Sequence, residues 1–338
     1  MRSMRLGAIA GIATLGLALA ACSGGGGNGD GGSADQTVFR VAFNQNIEHP
    51  QAQALLELSD ALEEQTDGAY RLELFTDETL GDQAATIEQV QSGTLDFAIV
   101  GGSLLENFSS DMAVVNLPYL YESPEHQMSV LNDQAIVGEL YDTLLESDID
   151  VLTAYHGGVR NVYTTEGPIE TPEDLAGLKI RVIGSDTNVL MMELMGGVGT
   201  PMAQGEVYTA IQSGVLDGGE NNELIYSSLS HDEIAPYYSY TQHLMMPDYL
   251  IANPSVMEGL DDDTREILET LLTESVDTEL GLFADAVEES VAAAEEAGAT
   301  FTEVDVEVFR EAVLPIHEQR VTNDLTQSVY DAIDAARG

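Results

Sequence analysis

The stretch GLKIRVIGSDTNVLMMELMGGVGTPMAQGEVYTAIQSGVLDGGENN, residues 177–222, decides the fold of the chain. Leu178, Ile180 and Val182 alternate with Lys179, Arg181 and Ile183, the period of two that marks a strand. Ser185 or Asp186 can cap a helix over residues 187–195, which Gly196 and Gly197 end. Residues 198–202 read as a short extended piece around Pro201, and residues 206–213 as a second helix stopped by Gly214. Val215, Leu216 and Asp217 read as a third extended piece, running into a polar loop at residues 218–222. Strands alternating with helices imply parallel pairing, with ligands held at the carboxyl ends of the strands. Arg181 lies on the first strand and Asn221 just past the last, so a cation and an amide converge on one crevice. That pairing suits a carboxylate. The competing role for Arg181 is an ion pair within the protein, since 59 acidic residues face 11 basic ones.

Working outward, several short motifs keep a fixed order: Gly177-Leu178-Lys179-Ile180-Arg181-Val182, Thr200-Pro201-Met202, Glu206-Val207-Tyr208, Ala210-Ile211-Gln212, Asp217-Gly218, Glu220-Asn221 and Thr241-Gln242-His243. In order and spacing they resemble the core of the DctP-type extracytoplasmic solute receptors of TRAP (tripartite ATP-independent periplasmic) transporters. The resemblance extends over residues 37–338. It implies an α/β, two-lobed, periplasmic-binding-protein-like fold with one long helix spanning both lobes. By the same resemblance Arg181 clamps a solute carboxylate, Arg160 reinforces it, and Asn221 and His243 read neighbouring oxygens. Two arginines suit a bidentate grip better than lysine would. Asn44, ending a strand over residues 38–44, and Asp82, just before a helix, would contribute from the other lobe. Gln204 stands where many relatives place an aromatic lid, which implies more contact with hydroxyls. Tyr155 with Arg160, Ser185-Asp186, and Glu220-Asn221-Asn222 with Thr241 and His243 look closest to relatives that bind uronic and related sugar acids. The implied partners are a small organic acid and membrane permease subunits, with uptake driven by an ion gradient and no cofactor. A C4-dicarboxylate or keto-acid receptor is the alternative of the same kind.

The amino-terminal segment sets the compartment. Arg2 and Arg5 precede an apolar run over residues 6–21 that holds no acidic residue, and Leu19-Ala20-Ala21 leads to Cys22, the single cysteine. A basic start, a short apolar core and small residues make a secretory signal. With the cysteine it resembles a bacterial lipoprotein signal, cleaved before Cys22, which would then carry a lipid anchor on the outer face of the cell membrane. The run is shorter than the ~20 residues a spanning helix needs. One cysteine admits neither an intramolecular disulfide nor a multi-cysteine zinc site. Residues 23–36 are a glycine-rich tether, and their nominal G-x-G-x-x-G lacks the flanking strand and helix that phosphate binding requires.

Past the tether, αβ units repeat: a helix over residues 51–65, a strand over 71–75, a helix over 84–92 and a strand over 95–100. A further strand spans 149–155 and runs into Gly157-Gly158-Val159-Arg160. Asp261-Asp262-Asp263 opens a long amphipathic helix over 265–297, followed by a strand near 301–306 and closing helices to 336. The lobes divide as 37–157 with about 247–286, and about 158–246 with 287–320, leaving 321–338 as a terminal helix. No G-x-S-x-G elbow, H-E-x-x-H or P-loop lysine is present, and the six histidines show no metal-ligand spacing. An extracellular enzyme with a glycosidase-like carboxylate pair, acting on acidic sugars, is the reading from a different class.

Cleavage before Cys22 removes Arg2 and Arg5 and no acidic residue, taking the formal charge from −48 to −50. Such a surface excludes nucleic acid as a partner, which needs a basic patch. It suits a salt-rich habitat, where screening blunts self-repulsion. The melting temperature should therefore rise from low to molar sodium chloride. Equal stability at both ends of that range would overturn the habitat reading.

Overall fold

The computed structural model describes residues 36–337; the signal segment, Cys22 and the tether up to residue 35 lie outside the described residues. Nine strands form one sheet: β1 (Thr37–Ala42), β2 (Tyr70–Phe75), β3 (Phe97–Gly101), β4 (Asp150–Thr164), β5 (Lys179–Val182), β6 (Val198–Pro201), β7 (Gly218–Asn221), β8 (Tyr237–Ala252) and β9 (Thr300–Glu303). Their order is β2-β1-β3-β8-β4-β7-β5-β6, with β9 on β8. Two parallel runs, β2-β1-β3 and β7-β5-β6, stand on either side of an antiparallel pair, β4 with β8. This is the two-lobed α/β fold that the sequence implies.

Helices start where capping side chains wait. His49 Nδ1 accepts from the Gln51 amide ahead of the helix Pro50–Gln65, whose Ala54, Leu55, Leu58 and Leu62 are buried. Asp82 caps Gln83–Gln91, Ser185 caps Asp186–Leu194, and Asp261 caps Asp262–Ala297. Each offers an oxygen to an otherwise unpaired amide of the first turn. The last of these helices is 36 residues long and ends at Gly298, whose φ of 106° only glycine adopts freely. It packs on the helix Pro50–Gln65, which follows β1, and on the helix Glu223–Ser228, which follows β7. One helix therefore bridges the two parallel runs. No helix among the described residues is long and apolar enough to cross a membrane.

Two expectations need correction. Residues 215–217 are not a strand, and the apparent polar loop after them is: Gly218, Gly219, Glu220 and Asn221 form β7, all four buried. Val215 is 55% exposed. The signal was hidden because β7 is buried by close approach and not by apolar side chains. A Cβ at Gly218 would stand 2.1 Å from the Tyr163 carbonyl oxygen, and one at Gly219 would stand 2.4 Å from the Tyr163 hydroxyl. Second, β4 does not stop at Tyr155 but continues through Gly157 and Gly158 to Thr164. The register against β8 shifts between His156 and Val159, a bulge. Here the glycines serve contact: a Cβ at Gly158 would lie 2.5 Å from Asn222 Nδ2. The partner strand β8, 16 residues long, was not anticipated. The lobe limits expected near residues 157 and 247 fall inside β4 and β8, where His156 pairs with Pro247.

Gly218→Ala and Gly219→Ala should each destabilise the protein by about 1–3 kcal/mol or more, as overpacking does. Shortening Tyr163 should recover part of the Gly219→Ala loss and none of the Gly218→Ala loss, because the second clash is with backbone. Denaturant unfolding of the single and double variants checks this.

Candidate solute-binding site

Arg181 is on β5 between Ile180 and Val182, both fully buried, and is itself 4% exposed. Its Nε–H donates to the Met202 carbonyl at 2.9 Å, which fixes the guanidinium against the segment after β6. Among the described residues no carboxylate lies within ion-pair distance of it, and its terminal nitrogens make no hydrogen bond. Burial lowers its pKa, the like charge of Arg160 adds to that, and Glu220, Tyr163 and Glu78 oppose it. A buried cation held in place without a counter-ion is ready for an anion.

The guanidinium lines a cavity of about 320 Å³ together with Glu78, Asp82, Leu104, Met202 and Gln204. Asp82 serves the helix Gln83–Gln91 as its cap, its Oδ1 accepting from the Ala85 amide at 2.9 Å. Burial raises the Glu78 pKa, with Asp82 and Glu206 raising it further against Arg181. Gln204 reaches across to the loop that follows β1. Its Nε2 donates to Gln45 Oε1 at 3.0 Å, and its Oε1 accepts from Gln45 Nε2 at 3.1 Å and from Asn44 Nδ2 at 3.3 Å. Gln45 was not singled out in the sequence. Its only signal was its place beside Asn44 at the end of a strand.

Arg160, Asn221 and His243 gather in a second, fully buried group around Glu220. The register that sets Val162 against Glu220 and Asn161 against Asn221 brings β4 and β7 together there. Arg160 Nε and Nη2 both donate to the Glu220 carboxylate, the latter at 2.8 Å. Nη2 also donates to the Glu220 carbonyl at 2.6 Å, and Nη1 to Asn221 Oδ1 at 3.0 Å. His243 Nδ1 is 2.9 Å from Thr241 Oγ1, and its Nε2 faces Glu220 Oε2 at 3.4 Å. Burial alone would raise the Glu220 pKa; Arg160 and His243 outweigh it and hold the carboxyl down at about 2. Burial keeps His243 below its ordinary pKa. The structure thus places Arg181, Gln204 and Asp82 around one cavity, reaches Asn44 only through its hydrogen bond to Gln204, and engages Arg160 with a protein carboxylate. Glu220 was visible in the sequence only as the neighbour of Asn221, one acid among 59. Among the described residues no group of His, Cys, Asp and Glu is placed to hold a metal.

The long bridging helix, the paired parallel runs and the buried unpaired arginine define a two-lobed solute receptor. The chain belongs to the DctP family, bacterial extracellular solute-binding protein family 7, whose sequence profile matches residues 42–324. It is the extracytoplasmic receptor of a TRAP transporter. A TRAP periplasmic solute-binding protein of Anaerococcus prevotii with bound α/β-D-glucuronate is 36% identical, with a TM-score of 0.86 over 89% of this chain and 98% of that one. One of Xanthobacter autotrophicus with bound β-D-galacturonate is 33% identical, with a TM-score of 0.84 over 88% of this chain and 100% of that one. A solute-binding protein of Chromohalobacter salexigens is 34% identical over 85% of this chain and 86% of its own length.

The depressed Glu220 pKa carries a stability signature. A group lowered from 4.5 to about 2 stabilises the fold above the higher value and loses that contribution as pH falls through the lower one. The stability gap between the wild type and Glu220→Gln should be on the order of 3 kcal/mol at neutral pH and close as pH drops from about 4.5 to about 2. A gap independent of pH would show that Glu220 is not held ionised by Arg160.

Proposed function

We propose that the solute is a hexuronate, held by its carboxylate against Arg181. The observation that carries this reading is Arg181 itself, buried beside a cavity with its terminal nitrogens unengaged among the described residues. Structural relatives with bound glucuronate and galacturonate support the same chemistry. Gln204, Asn44 and Asp82 supply amides and a carboxylate for the hydroxyls. Arg160 acts from behind, keeping Glu220 and Asn221 in position, and His243 completes that wall. The lobes close about β4 and β8 near residues 157 and 247. The closed form is then presented to a membrane permease, with Cys22 as a lipid anchor. The reading is of a receptor without turnover.

Titration calorimetry with D-glucuronate, D-galacturonate, a C4-dicarboxylate and a keto acid tests this. A uronate should bind best, and Arg181→Ala should weaken it about 100-fold or more while circular dichroism stays unchanged. Unchanged affinity in that variant would sink the clamp, and preference for the dicarboxylate or keto acid would favour the alternative solute. Release of product from an acidic glycoside would replace the receptor by an enzyme.

A further inference from the structure

A second cavity, about 670 Å³, lies between the long helix and the middle of β4 and β8. It shares no lining residue with the cavity of Arg181. Its walls combine aromatic rings, among them Tyr119, Tyr240 and Phe283, with carboxylates, among them Glu125, Glu223 and Glu303; no lysine or arginine lines it. The chemistry is one-sided. Carboxylates and aromatic rings surround a space that no lysine or arginine lines.

His156 adds a polar group to the same wall. It is 3% exposed, packs edge-on against Phe283 at 5.0 Å between ring centroids, and lines the cavity. Gln127 Nε2 donates to the Met245 carbonyl at 2.8 Å, so its Oε1 is the atom 2.8 Å from His156 Nδ1. An amide oxygen only accepts, so Nδ1 carries the proton and Nε2 is a bare acceptor. Nε2 has no hydrogen-bond partner among the described residues. Burial keeps the ring neutral by lowering its pKa to about 4. Glu223 has no cation within ion-pair distance of its carboxylate among the described residues, and burial pushes its pKa up to about 7 against a hydrogen bond from its own backbone amide. A half-buried carboxylate driven toward neutrality is one whose ionised form lacks a positive partner.

We propose that this cavity binds an organic ammonium ion, its charge among Glu125, Glu223 and the Tyr240 and Phe283 rings and its apolar body against the long helix. Aromatic faces attract such ions because the ring quadrupole is negative over its plane. A bare metal ion fits poorly: no acid or histidine cluster with ligand geometry occurs among the described residues, and the volume exceeds what one ion fills. An anion is repelled by every carboxylate in the wall.

Choline and its neutral carbon isostere, 3,3-dimethylbutan-1-ol, form the test, titrated into the full chain in molar sodium chloride to suppress non-specific counter-ion uptake by the acidic surface. Choline should bind saturably at one site and the alcohol should not. Glu223→Gln should weaken choline about tenfold or more, as loss of a desolvated charge partner does. Tyr240→Leu serves the same purpose should Glu223→Gln lose its melting transition. Non-saturable choline uptake, equal binding of the alcohol, or full affinity in both variants would overturn the proposal.

Discussion

The ion pair between Arg160 and Glu220 decides what the rest of the site can do. Two arginines buried near one another repel, and each raises the cost of burying the other. The Glu220 carboxylate takes the Nε–Nη2 edge of the Arg160 guanidinium, Asn221 takes Nη1, and Arg181 feels Glu220 only as a more distant charge. One cation is thereby consumed as structure and the other left without a counter-ion among the described residues. In a chain with 59 acidic residues, keeping a buried arginine away from direct contact with a carboxylate is the harder task. Its solution lies in position: Arg181 is pinned by a carbonyl, which orients it without neutralising it.

That arrangement depends on the long antiparallel pair of β4 and β8. Arg160 is on β4, His243 on β8, and Glu220 reaches them only because β7 pairs with β4 in the register it does. Gly218 lets the backbone of β4 approach and Gly219 leaves room for the Tyr163 ring, so strand spacing and charge pairing are set by the same four residues. The strand that carries the carboxylate is thus positioned by residues that carry nothing.

Much of this was legible in the chain. Period-two alternation marked β5, a capping residue marked the helix at Ser185, the acidic triplet at Asp261 marked the long helix, and the motif order marked the family, whereas Asp82 was read as a solute contact and proves to cap a helix. Two kinds of feature were not. The strand β7 is polar and glycine-rich, so hydrophobic periodicity has nothing to detect; its burial comes from neighbours distant in sequence. The partner of Arg160 was equally hidden, because pairing among many acids is settled by register across strands, which local sequence does not encode. Gln45 escaped for a related reason: its partner Gln204 is 159 residues away.

The contact of Gln45 with Gln204 is made of neutral amides, each giving and receiving one hydrogen bond. Dissolved ions weaken attraction between charges at protein surfaces but have little purchase on a dipole pair of this kind. A salt bridge at that position would grip in dilute medium and slacken in brine. An amide pair keeps much the same strength in either, so the link between Gln204 and the loop after β1 does not vary with the salinity outside the cell.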